Sequence, residues 1–200
     1  KSLIDEYQLQ FMPLHRSNDV YFIFMALALA EKITVVQEVF VNYRQSGSSL
    51  QANNARSPWD WYEALRALKL KFEELQMYEE LRNSFRNLAF GVSIYNLCSL
   101  KSGESFCQVY ERMKKEFFEE FDLVDFKEED CYSYNSKKYE IYRNMMQCTA
   151  GEYLFLEVQK LKEEKSYWVT RAKNAEKKNQ QYSLVKIPVR AARKIWRKLK

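Results

Sequence analysis

Glycine and proline are scarce in this chain, four and three among 200 residues. So few turn-makers argue against a many-stranded sheet and for long helices. There is one histidine, His15, and four cysteines, Cys98, Cys107, Cys131 and Cys148, which lack CxxC spacing. That excludes a zinc-ribbon or thioredoxin-type site. No signal-peptide pattern opens the chain, so the cysteines are expected to be reduced and cytosolic, with Cys98 and Cys107 packed between helices. The longest apolar run, Val20 to Ala30, is eleven residues, well short of the roughly 20 that a membrane-spanning helix needs. No Asp-x-Asp, P-loop, GxGxxG or GxSxG motif occurs.

The composition that remains, 46% hydrophobic, 16% aromatic and 30% charged, suits a globular chain of one or two domains. The net charge of +5 conceals an asymmetry. From Lys165 to Lys200 there are twelve Lys/Arg and one acid, Glu176, so the preceding 164 residues are net acidic. The basic character belongs to the C-terminal end.

Ser2 can cap a short helix over Leu3–Leu9, which Pro13 interrupts. Ser17 or Asn18 then caps a helix from Asp19 to Glu31, apolar almost all the way round, which must be covered on most sides by other structure. Ile33–Val36 and Val39–Tyr43 are β-branched and aromatic and read as short strands. Two short strands make at best a marginal hairpin in water, so the sheet they belong to is expected to precede Lys1.

Pro58, capped by Ser57, opens an amphipathic helix to Gln76 with Trp59, Tyr62, Leu65, Leu68 and Phe72 at helical steps. A second helix covers Glu79–Leu100, with Leu81, Phe85, Leu88, Val92 and Tyr95 as its periodic apolar residues. A third covers Glu104–Glu119 with Phe106, Val109, Tyr110, Met113 and Phe117. Asp122–Asn135 reads as a loop with an extended piece at Leu123–Phe126. A long helix from Ser136 continues past Glu164 as a polar rod or coiled coil, although three uninterrupted apolar heptads are absent. Pro188 is expected to separate a final basic helix, Val189–Lys200.

Chemistry concentrates in the stretch Arg16–Leu50. Asp19, at a helix start, could cap that helix, or could act as a general base positioned by it and stabilised as an anion by the helix dipole. Tyr43-Arg44 precedes the loop Gln45-Ser46-Gly47-Ser48-Ser49. Arg44 could face solvent at a strand end, or could offer a bidentate donor to pyrophosphate, with the Ser/Gly loop presenting backbone N–H groups. His15 could touch an acceptor or lie idle in a loop. Trp59 and Trp61 could stack on a sugar or pack at a helix start.

The order and spacing of Asn18-Asp19 before an aromatic-rich helix, and of Tyr43-Arg44 before a Ser-containing loop, resemble the closing segment of the catalytic domain of family 2 glycosyltransferases of the GT-A fold. The resemblance covers Lys1 to about Leu50 and, more loosely, the helices to Phe126. It implies that Asp19 is the catalytic base and that Asn18 lies on the acceptor side. It further implies that Tyr43, Arg44, Ser48 and Ser49 line the donor nucleotide. Many members have Glu-Asp where this chain has Asn18-Asp19, and several carry a metal-approaching His where Gln45 and Ser46 stand, so no metal ligand is assigned here.

The parent enzyme is then an inverting transferase of bacterial cell-surface polysaccharide or glycoprotein assembly. It would use a UDP-sugar with Mn or Mg bound by the strand-rich half, and a glycan or glycoprotein acceptor. With no Asp-x-Asp of its own, this chain alone is expected to be incomplete and inactive, with no cofactor of its own.

The basic end carries the last signal. From Lys186 to Lys200 there are seven basic residues and no acid, with Ile187, Ala191, Ile195 and Leu199 at four-residue steps. Arg190, Arg193, Lys194, Trp196, Arg197 and Lys198 suit a helix lying on an anionic membrane surface. A solvated tail and nucleic-acid binding are the alternatives, and no nucleic-acid-binding fold accompanies the tail.

The expected architecture is mainly α. Residues 1–57 form the C-terminal remnant of a GT-A α/β domain, one helix plus short strands. Residues 58–131 form a helical subdomain, 132–183 a long helix, and 184–200 a basic amphipathic tail. The expected location is the cytoplasm, peripheral at the inner face of the cell membrane, with a homo-oligomer among the partners. The competing class is a non-enzymatic helical module for self-association and membrane docking.

Overall fold

A computed structural model describes residues 2–42, 57–132 and 136–196, the side chains of 136 and 179–196 excepted. The protein is mainly helical. Its elements are α1 (Ser2–Glu6), α2 (Val20–Leu29), α3 (Asp60–Glu74), α4 (Tyr78–Ser99), α5 (Gly103–Arg112), a π-helical turn Met113–Phe117, α6 (Phe118–Glu120), a 3-10 turn Glu128–Asp130, α7 (Ser136–Gln147) and α8 (Ala150–Trp196). The chain divides into two compact units, Lys1–Gly151 and Glu152–Lys200. No helix among the described residues is long and apolar enough to cross a membrane.

In the first unit, α3, α4 and the α5–α6 segment close around aromatic rings. Phe117 is fully buried, stacked on Tyr62 at 4.0 Å between ring centroids and edge-on to Trp61 at 5.3 Å. The π turn explains how one helix buries so many neighbours. Its wider i→i+5 bonding, closed by Phe118 N–H on the Met113 carbonyl, shifts the register so that adjacent Phe117 and Phe118 both enter the core. α5 starts where expected, with the Ser102 hydroxyl accepting from Ser105 N–H at 3.3 Å.

Polar bonds hold the 122–132 connection to this core. Arg86, buried on α4, donates to Asp125 at 2.9 Å and to Asp130 at 3.4 Å and lies over the Phe126 ring. Asn87 donates to the Asp130 carbonyl at 2.8 Å and accepts from Tyr132 N–H at 3.0 Å. Tyr142 on α7 closes the other side, its hydroxyl donating to the Val124 carbonyl at 3.0 Å.

Several sequence expectations need correction. No strand occurs among the described residues: 33–36 and 39–42 have no regular structure, and Val35 and Val39 are 85% and 84% exposed. Neither run meets a neighbouring strand, and an isolated pair is too weak to form in water. Tyr43, at the end of the second run, lies outside the described residues. Leu123–Phe126 is a turn rather than an extended piece, because its backbone bends to bury Leu123 and Phe126 together.

On α4 the most buried side is not the 81/85/88/92/95 stripe, of which only Phe85 is buried. It is the side carrying Ala89, Phe90, Ser93 and Leu97, because α4 is central and the rest of the bundle packs there. Cys98 and Cys107 are exposed rather than packed, and none of the four cysteines is in a disulfide. The helix from Ser136 breaks at Cys148–Thr149, where Tyr110 and Lys114 draw the Cys148 carbonyl aside at 2.9 and 2.7 Å. α8, by contrast, runs through Pro188 to Trp196. A proline removes one N–H and crowds one carbonyl, and the turns on either side keep their own bonds.

Candidate functional site

The turn from His15 to Asp19 and the second half of α4 enclose a surface pocket of about 450 Å³, lined by His15, Arg16, Asn18, Asp19, Tyr95 and Asn96 among others. The turn is tightly built. Ser17 takes a left-handed backbone, φ 53°, and accepts from Val20 N–H, while the Asn18 carbonyl accepts from Met12 N–H at 3.0 Å. Arg16 anchors it to the helical core. Its backbone N–H donates to Asp60 Oδ2 at 2.9 Å, and its buried guanidinium donates to Asn96 Oδ1 at 3.3 Å. Asn96 is held in turn by donating to the Val92 carbonyl at 2.9 Å. Burial lowers the Arg16 pKa, partly offset by the Asp60 charge. Its Nε is buried without a hydrogen-bond partner.

Asp19 occupies the N-cap position of α2 at φ −87°, ψ −19°, yet its carboxylate makes no capping hydrogen bond. A capping residue normally takes an extended backbone that turns its side chain onto the first turn. The helical backbone of Asp19 instead leaves the carboxylate exposed at the pocket rim, which answers the simple capping alternative. Asn18 and His15 are exposed in the same turn. Gly91 lines the facing wall; a Cβ there would stand 3.2 Å from Lys138 Nζ.

Of the residues singled out in the sequence, Asn18 and Asp19 therefore share one pocket. Tyr43, Arg44, Ser48 and Ser49 lie outside the described residues, as do Arg197 and Lys198. Arg190, Arg193, Lys194 and Trp196 fall in α8, and their side chains are outside the description. Trp61 is buried, donating from Nε1 to the Pro58 carbonyl at 2.7 Å. Trp59 carries the Arg112 guanidinium over its ring at 4.7 Å. Both tryptophans are packing residues. Among the described residues there is no group of three His, Cys, Asp or Glu side chains that could hold a metal.

Arg16, Tyr95 and Asn96 escaped the sequence reading as site residues. The Arg16–Asn96 bond joins positions 80 apart and leaves no local pattern. Beside the pocket, Phe24, Leu27, Phe72, Leu81, Phe85 and Leu88 line an apolar groove of about 360 Å³. It explains the 81/85/88 stripe, which faces α2 across a half-covered gap. No protein-family model, no curated protein and no solved structure matches this chain.

Proposed function

We propose that this chain is the C-terminal portion of an inverting, nucleotide-sugar-dependent glycosyltransferase that transfers a sugar to a cell-surface glycan or glycoprotein acceptor. The observation that carries the proposal is the uncapped Asp19 carboxylate on the rim of a pocket whose volume falls within the usual range of small-ligand sites. An acceptor hydroxyl entering there meets an exposed carboxylate carried on the first turn of α2. Asp19 accepts its proton as the oxygen attacks the anomeric carbon from the face opposite the leaving nucleotide, which inverts the configuration. Arg16 and Asn96 hold the turn that aims Asp19. The UDP-sugar and its Mn or Mg belong to a strand-rich half outside these 200 residues.

The exposed apolar surface of the N-terminal segment supports that division. Ile23 and Leu27, four residues apart on α2, are 42% and 45% exposed, and Val35, Val39, Phe40 and Val41 are open as well. Exposed apolar side chains of this kind are what a partner sheet would cover.

The test is transfer from a UDP-sugar by a polypeptide that carries this chain behind such a strand-rich half, compared with its Asp19→Asn variant. Loss of a general base lowers kcat by roughly 10² to 10⁴-fold with the fold retained. An Asp19→Asn enzyme that keeps its rate, or sugar transfer by these 200 residues alone, would refute the reading.

A further inference from the structure

α8 is a 47-residue helix, about 70 Å long at the rise of an α-helix. From Val158 onward its described side chains are exposed or half-exposed. A solitary helix of mixed polarity has little to hold it in water. Leu154, Val158, Leu161 and Trp168 among its large exposed apolar residues share one stripe, while Phe155, Leu156, Tyr167 and Val169 lie off it. Val158, Leu161, Lys165, Trp168, Ala172 and Ala175 follow one another at alternating three- and four-residue steps, the a/d seam of a coiled coil. Val158, Leu161 and Trp168 are 46%, 62% and 58% exposed.

The seam is lopsided, with bulky residues in its first half and alanines in its second, and a lysine and a tryptophan at its centre. Parallel pairing with a second copy would set Lys165 against Lys165, and alanine against alanine in two successive layers. Antiparallel pairing about an axis between Ser166 and Tyr167 sets Val158 against Ala175, Leu161 against Ala172, and Lys165 against Trp168. Every layer then matches a large side chain with a small one, or a cation with an aromatic ring. The flanks agree. At the g positions, which face each other in an antiparallel pair, Glu164 meets Arg171 and Glu157 meets Lys178, each contact occurring twice by symmetry. At the e positions Lys162 meets Val169 and Phe155 meets Glu176, so no like charges oppose.

We infer that residues 158–175 of α8 pair with the same segment of a second copy of this chain as an antiparallel two-stranded coiled coil. This stands independently of the glycosyltransferase reading. Arg171 already lies over the Trp168 ring, 5.2 Å from its centroid, and so borders the seam on the side from which Glu164 of the second copy would approach.

Sedimentation of the full chain over a concentration series tests the pairing. Wild type is expected to be a dimer and Leu161→Glu a monomer with unchanged helical circular dichroism. Glu164→Arg sets arginine against Arg171 twice and weakens the dimer by about tenfold, Arg171→Glu weakens it similarly, and the double variant restores it. A wild type that stays monomeric overturns the proposal. So does a Glu164→Arg variant that dimerises normally while Arg171→Glu does not and the double variant fails to rescue. That pattern belongs to a parallel pair, in which Glu164 faces Val169 and Arg171 faces Glu176.

Discussion

Two aromatic-rich regions of this molecule meet opposite fates. Between Asp60 and Gln147, Trp61, Phe85, Phe90, Phe117, Phe118 and Phe121 are almost wholly removed from water. Between Val20 and Val41 the apolar content is at least as dense, yet Met25 alone is buried. Hydrophobicity therefore does not decide burial here; one-sidedness does. A helix with apolar residues on one stripe can close against others like it, while a helix apolar all round exhausts the neighbours its own chain supplies.

The largest break in that comparison is expected at Phe117. Phe117→Ala removes the ring stacked on Tyr62 and set edge-on to Trp61 and costs about 3–5 kcal/mol of unfolding free energy, read as a lowered urea midpoint at unchanged slope. A loss below about 1 kcal/mol would mean that the aromatic cluster is not the core of the first unit.

A smaller effect comes from the tyrosines that close the cluster's polar edge. Burial, the hydrogen bond to Glu120 and the charge of that carboxylate push the Tyr62 hydroxyl up to about 12. Tyr78, buried and bonded to Asp122, is raised as well. A pKa raised by folding means the protonated phenol favours the folded state. That stability is full below the unfolded value of about 10 and is lost as the pH climbs through about 12. The urea midpoint of wild type should fall over this window more steeply than that of Tyr62→Phe. Equal slopes would remove Tyr62 from the account.

The smallest effect sharpens the comparison from the other side. Ile23→Ser on the open face of α2, 42% exposed and outside the groove, should change the stability of this chain by no more than about 0.5 kcal/mol. In a longer chain whose sheet covers α2, the same change should cost about 2 kcal/mol. Equal small costs in both settings would show that the face stays bare.

The helices of the first unit were legible wherever the pattern was amphipathic. Phe106, Val109, Tyr110, Met113 and Phe117 were read as one face, and all five are buried. The reading slipped on α4, because a central helix buries more than one stripe and polar Asn87 and Ser93 can enter a core when their bonds are satisfied. It slipped again at Cys148, where the break comes from Tyr110 and Lys114, far away in sequence. Asn18 and Asp19 were singled out from the local sequence and line one pocket, while Tyr95 and Asn96, which line it from α4, left no local pattern.

Periodicity and charge along the chain determined by themselves that the protein is mainly helical, which face of the 104–119 helix is buried, and that its basic charge gathers at the end. These are local properties, set by side chains three or four positions apart. Tertiary structure alone decided that the Asp19 carboxylate is left uncapped, that Arg16 and Asn96 meet beneath it, and that α2 keeps an open face. Those outcomes depend on contacts between distant segments, whose pairing no local pattern encodes.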